Sequence, residues 1–112
     1  MVSPAVVPYV EWHTGARRVV TFELEIGNMG PFAMTGMLQR RISPTVHVDG
    51  RQFPVYWGRV NFEVPADRNV HVAVSLDDSV QVASDLLPAG GDLVLVYRTD
   101  ASGAATLERF AA

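Results

Sequence analysis

The chain has 112 residues, nine basic and twelve acidic side chains for a formal charge of −3, and 48% hydrophobic residues. That length supports one core and a single domain over residues 1–112, the apolar content excludes disorder, and no apolar run approaches the roughly 18 residues needed to cross a bilayer. Cysteine and lysine are both absent, which excludes disulfides, thiolate metal sites, Schiff-base chemistry and a phosphate-loop lysine.

In chain order, the N-terminus lacks the basic stretch, apolar run and small-residue cleavage site of a signal peptide, so the expected location is the cytoplasm. Residues 6–12 are β-branched and aromatic enough for a strand, and Pro8 confines it to a sheet edge. Residues 17–26 hold Phe22, Leu24 and Ile26 alternating with Glu23 and Glu25, which predicts a strand with one wet face. Residues 27–38 then break the pattern: Gly27, Gly30, Pro31 and Gly36 loosen a stretch that carries three of the four methionines.

Beyond it, residues 45–48 and 51–55 flank Asp49-Gly50, the pair preferred by a type I′ hairpin turn because both central residues need positive φ. The turn sets Val48 opposite Arg51, His47 opposite Gln52 and Val46 opposite Phe53, with Pro54 at an edge or bulge. Val60, Phe62 and Val64 alternate with polar residues, as do Val70, Val72, Val74 and Leu76, and the loop between them predicts that these two strands form a hairpin. Residues 79–83 read as a short weak strand. Residues 93–97 are continuously apolar, as in a central strand covered on both faces. Residues 104–112 have helix-forming composition, with Leu107 and Phe110 three apart, and are short enough to be a frayed tail.

Seven to eight short strands separated by turn signals predict an all-β fold, an antiparallel β-sandwich of immunoglobulin-like or prealbumin-like type without the cysteine pair of an immunoglobulin domain proper. Val46, Phe62, Val72, Val74, Leu93 and Leu95 are the expected core. From residue 44 the chain runs Pro44-Thr45-Val46-His47-Val48-Asp49-Gly50, Trp57-Gly58, Val64-Pro65-Ala66, the alternating strand at 70–76, Leu87-Pro88-Ala89-Gly90, and the apolar strand at 93–97. Over residues 44–98 this order resembles the small β-sandwich domains called PEGA-like, and it is similar to β-domains of high-GC Gram-positive bacteria. Asp67 stands where the family's first proline turn has glycine, so that loop either takes another conformation or holds Asp67 in the left-handed well, which Asp tolerates better than most residues. The resemblance implies an envelope-associated accessory module in some relatives, with no catalytic residues to carry over.

For chemistry, His47 and Asp49 share a strand face and His71 lies on the polar face of another strand; they would form a metal-like cluster only if those strands were neighbours. Solvent-facing histidines are the favoured alternative, and no metal or cofactor is assigned. Glu11 and His13 flank Trp12 in what is either a small polar cup or a plain edge strand. Glu23 and Glu25 read as a wet face, and Asp77-Asp78 as turn chemistry. Ser43, Ser75, Ser79, Ser84 and Ser102 lack a nucleophile-elbow motif, so no catalytic residue is assigned and the chain reads as non-enzymatic. Arg17-Arg18 and Arg40-Arg41 are too few to serve nucleic acid; Arg40-Arg41, following an apolar stretch, could touch an anionic membrane surface, although stable attraction usually takes a larger cluster.

The remaining candidate is the methionine-rich segment, where Met29, Phe32, Met34 and Met37 form either core packing or an adaptable surface for a partner. The expected function is therefore an interaction or accessory module that binds a protein partner or forms a homodimer. The alternative is a binding protein for a small apolar ligand or lipid.

Overall fold

A computed structural model describes residues 6–9, 13–26, 43–76, 80–99 and 105–111. The strands are β1 (Val6–Val7), β2 (Arg17–Ile26), β3 (Pro44–Val48), β4 (Arg51–Pro54), β5 (Gly58–Pro65), β6 (Val70–Leu76), β7 (Val80–Leu87), β8 (Leu93–Thr99) and β9 (Ala105–Ala111). They form a five-stranded sheet in the order β1-β5-β2-β8-β9 and a four-stranded sheet in the order β4-β3-β6-β7.

Alternation decides which side chains face inward. Val20, Phe22 and Leu24 of β2, Phe62 and Val64 of β5, and Leu95 and Tyr97 of β8 form one buried cluster with Val46 and Val48 of β3, Val72 and Val74 of β6, and Leu87 of β7. The sheets meet through aromatic edges. The Phe62 ring sits 5.5 Å from Phe22 in its own sheet and 5.2 Å from Phe53 in the other, both edge-on, the geometry that ring quadrupoles favour. At one margin Arg109 of β9 pairs with Asp85 of β7 at 2.7 Å, joining the edge strands of the two sheets.

The hairpin register is the expected one, with Val46 opposite Phe53, His47 opposite Gln52 and Val48 opposite Arg51. Asp49 has φ 47° and Gly50 φ 84°, both in the left-handed region a type I′ turn demands. No atom lies within 4 Å of a Cβ built at Gly50, so backbone strain alone opposes a larger residue there. Gly50→Val is expected to lower stability by about 1 to 2 kcal/mol, more than Gly50→Ala, in urea denaturation. Pro54 ends β4, an edge strand, where a missing amide donor breaks no ladder. β1 is likewise an edge, reduced to two residues before Pro8.

Several expectations are corrected. The strands at 60–64 and 70–76 do not form a hairpin: β5 pairs with β1 and β2, whereas β6 pairs with β3 and β7 in the other sheet. Loop composition marks a chain reversal without saying whether the reversal stays in one sheet. The pairing is not wholly antiparallel, because β1 runs parallel to β5 and β2 parallel to β8. The tail is neither helix nor frayed: β9 pairs with β8 over its whole length, since a free sheet edge satisfies its backbone better than a helix of barely two turns. The short strand expected at 79–83 is β7, which runs Val80–Leu87 and so extends four residues further. Nine strands, not seven or eight, occur among the described residues.

Val46, Phe62, Val72, Val74 and Leu95 are buried, but Leu93, at the start of β8, is only partly so. β8 does lie inside its sheet, between β2 and β9. Asp67 does not take the left-handed conformation. No helix of the described residues is long and apolar enough to cross a membrane.

Candidate functional site

The two sheets present outer faces of opposite character. On the five-stranded sheet, cross-strand register sets Glu23 opposite Arg59 and Glu25 opposite Arg98. Each pair is bonded: Arg59 Nη2 donates to Glu23 Oε1, and Arg98 Nε donates to Glu25 Oε2 at 2.8 Å, which raises the Arg98 pKa above its ordinary value. Arg17 bonds Glu63 on the same face at 2.6 Å. Glu23 and Glu25 are thus halves of solvent-exposed ion pairs on a wet strand face, where water and salt screen the attraction.

The basic pair at 17–18 is split by the pleat. Arg18 points inward and is only 4% exposed. Its Nη1 reaches the Gly91 carbonyl at 3.4 Å while Nε and Nη2 have no hydrogen-bond partner, and burial lowers its pKa although Asp92 opposes the shift.

The outer face of the four-stranded sheet carries no Asp, Glu, Lys or Arg among the described residues. By alternation and register it consists of Gln52 and Pro54 on β4, Thr45 and His47 on β3, His71, Ala73 and Ser75 on β6, and Val82, Ser84 and Leu86 on β7. Val82 is 46% exposed and Leu86 56%. A depression of about 250 Å³ opens on this face, lined by His47, Gly50, His71, Ala73, Ser75 and Val82.

Pairing of β3 with β6 supplies the neighbourhood that the histidines require. His47 lies opposite Ala73, so His71 and Ser75 are its two diagonal neighbours on β6. His47 Nε2 is 2.9 Å from Ser75 Oγ. Burial, and then the adjacent His71, lower the His47 pKa from the ordinary imidazole value. Asp49, the third member of the expected cluster, is committed elsewhere. Its Oδ1 accepts the His71 amide at 3.0 Å, its own amide donates to the His71 carbonyl at 2.8 Å, and its Oδ2 accepts the Tyr9 hydroxyl at 2.8 Å. Arg68 completes that group, bonding the Tyr9 hydroxyl and lying 3.8 Å from Asp49 Oδ2. Asp49 therefore holds the His71 backbone in place instead of sharing a ligand with it. Among the described residues no group of three or more His, Cys, Asp or Glu could hold a metal ion.

The lowered His47 pKa has a definite sign. An imidazole that is a weaker base when folded stabilises the fold fully above its unfolded pKa of about 6.5, and that contribution is lost as pH falls below this value toward the folded pKa. Stability measured from pH 8 to 5 should fall more steeply for wild type than for His47→Gln. Identical slopes would show that the environment of His47 has no such effect.

Of the other candidates, His13 lies apart from the depression, 3.4 Å from Asp67 and 3.2 Å from the Ala16 carbonyl. Glu11, Trp12, Arg40, Arg41, Asp77, Asp78, Ser79 and Ser102 lie outside the described residues, as do Met29, Phe32, Met34 and Met37 of the methionine-rich segment. Sequence reasoning missed the contact of Ser75 with His47 and the exposure of Val82 and Leu86. Alternation puts each residue on a face, but only strand order assembles those faces. No family model, no curated protein and no solved structure matches the chain.

Proposed function

We propose that the protein is a non-enzymatic β-sandwich interaction module that associates with a second copy of itself through the outer face of the four-stranded sheet. The observation that carries this reading is the absence of formal charge among the described residues of that face, beside Val82 and Leu86 left exposed at its margin. The other sheet's outer face, by contrast, carries the Arg17, Arg59 and Arg98 ion pairs, whose burial against a second copy would cost desolvation. The described residues of the four-stranded sheet's face bring no carboxylate or guanidinium to the encounter, so two copies can meet there without stripping water from such charges. The resemblance to PEGA-like accessory domains agrees with a module that has no chemistry of its own.

The size of the face sets the strength. Four strands about 4.8 Å apart and roughly five residues long cover about 300 Å², well short of the roughly 800 Å² per partner of a stable complex. A face of this size belongs to the weak, transient class of association. The alternative, a small apolar ligand between the sheets, requires a cavity of about 300 Å³ or more; the space beside Tyr9, Phe53 and Phe62 is about 10 Å³.

Sedimentation velocity over a concentration series tests the proposal. Leu86→Arg, which sets like charges against each other across the interface, should weaken self-association roughly tenfold or more without lowering the melting temperature. A chain that stays monomeric at millimolar concentration, or a variant that associates like wild type, overturns it.

A further inference from the structure

We propose that His47 and His71 are half of a divalent transition-metal site, completed by the same two residues of a second copy across the face described above. The inference rests on that self-association reading and adds a ligand to it. Two imidazoles on diagonal positions of neighbouring strands have Cβ atoms about 7 to 8 Å apart, within the span of two histidines sharing one ion at about 2.0 to 2.1 Å from each nitrogen. The rim of the depression carries no arginine to repel a cation.

Ser75 supplies the supporting contact. When its Oγ accepts the proton on His47 Nε2, the lone pair of the imidazole sits on Nδ1, and a bonded second nitrogen is what usually orients a metal-bound histidine. His71 is oriented from behind, its backbone clamped to Asp49 by two hydrogen bonds. One copy offers only two nitrogen ligands, too few for a closed four-coordinate centre. A two-fold axis through the depression brings two more, because an isologous contact sets the same patch against itself. Four neutral imidazoles suit zinc, nickel or copper and not magnesium or calcium, which take oxygen.

The probe is zinc chloride, with magnesium chloride as control. Sedimentation velocity gives the association constant in EDTA and in zinc, and calorimetry gives the stoichiometry. Wild type should bind one zinc per two chains, with association tightened roughly tenfold or more and no response to magnesium. His47→Gln/His71→Gln should lose the response to zinc, its association constant in zinc matching its own value in EDTA. His71→Gln alone, at an exposed position, provides the same test should the double variant fail to fold. Zinc bound one per chain with association unchanged, or a response that survives both substitutions, overturns the metal site and leaves the self-association reading standing. No association in EDTA or in zinc overturns both. Association seen only with zinc, at half stoichiometry, supports the site and makes the metal the main driving force.

Discussion

Phe62→Ala should lower the unfolding free energy by roughly 3 to 5 kcal/mol, the range for removing a buried phenyl ring and leaving a cavity behind. Phe62 is 1% exposed and its ring contacts both Phe22 and Phe53. Its loss therefore takes away an aromatic contact within the five-stranded sheet together with one that crosses to the other sheet. Against a typical total of about 5 to 15 kcal/mol the change is large, and it should appear as a lower urea midpoint with the slope preserved. Phe53→Ala, at a partly buried position, should be milder. A loss under about 1 kcal/mol for Phe62→Ala would mean that β5 presents its other face to the core.

Asp49→Ala should cost about 2 to 3 kcal/mol, since it removes charge-assisted bonds to the His71 amide and the Tyr9 hydroxyl together with the Arg68 ion pair. It also leaves a residue less tolerant of the left-handed backbone at φ 47°. Asp49→Asn keeps an acceptor for the His71 amide and tolerates that backbone, so it should lose under about 1 kcal/mol. The pair separates hydrogen bonding from charge. Chemical denaturation reads the stability, and the His71 imidazole resonances report whether the ring has moved. Equal stability of Asp49→Ala and wild type would remove Asp49 from the role of holding the turn and His71 together.

Local rules made much of this molecule legible. The period-two pattern at 70–76 and 60–64 marks strands and their inward faces, since successive side chains of a strand point to opposite sides. Asp49-Gly50 determines a hairpin and its register, because few residues accept positive φ at both turn positions. Pro8 and Pro54 mark edges because proline has no donor for the next strand. The same alternation puts His47, His71 and Ser75 on outward faces.

What the sequence by itself determined about this protein is therefore an all-β chain, its main strands and one turn. Which strands neighbour one another was decided only by tertiary structure. β5 and β6 are consecutive yet lie in different sheets, β2 and β8 run parallel across a long separation, and the tail adds to β8 as a strand. The physical reason is that a strand's own residues specify which face is apolar, while its hydrogen-bonding edge is backbone and nearly the same for every partner. Partner choice then follows from fitting all the apolar faces into one core. The histidine-bearing face, made by strands that only the whole fold brings together, is a product of that choice.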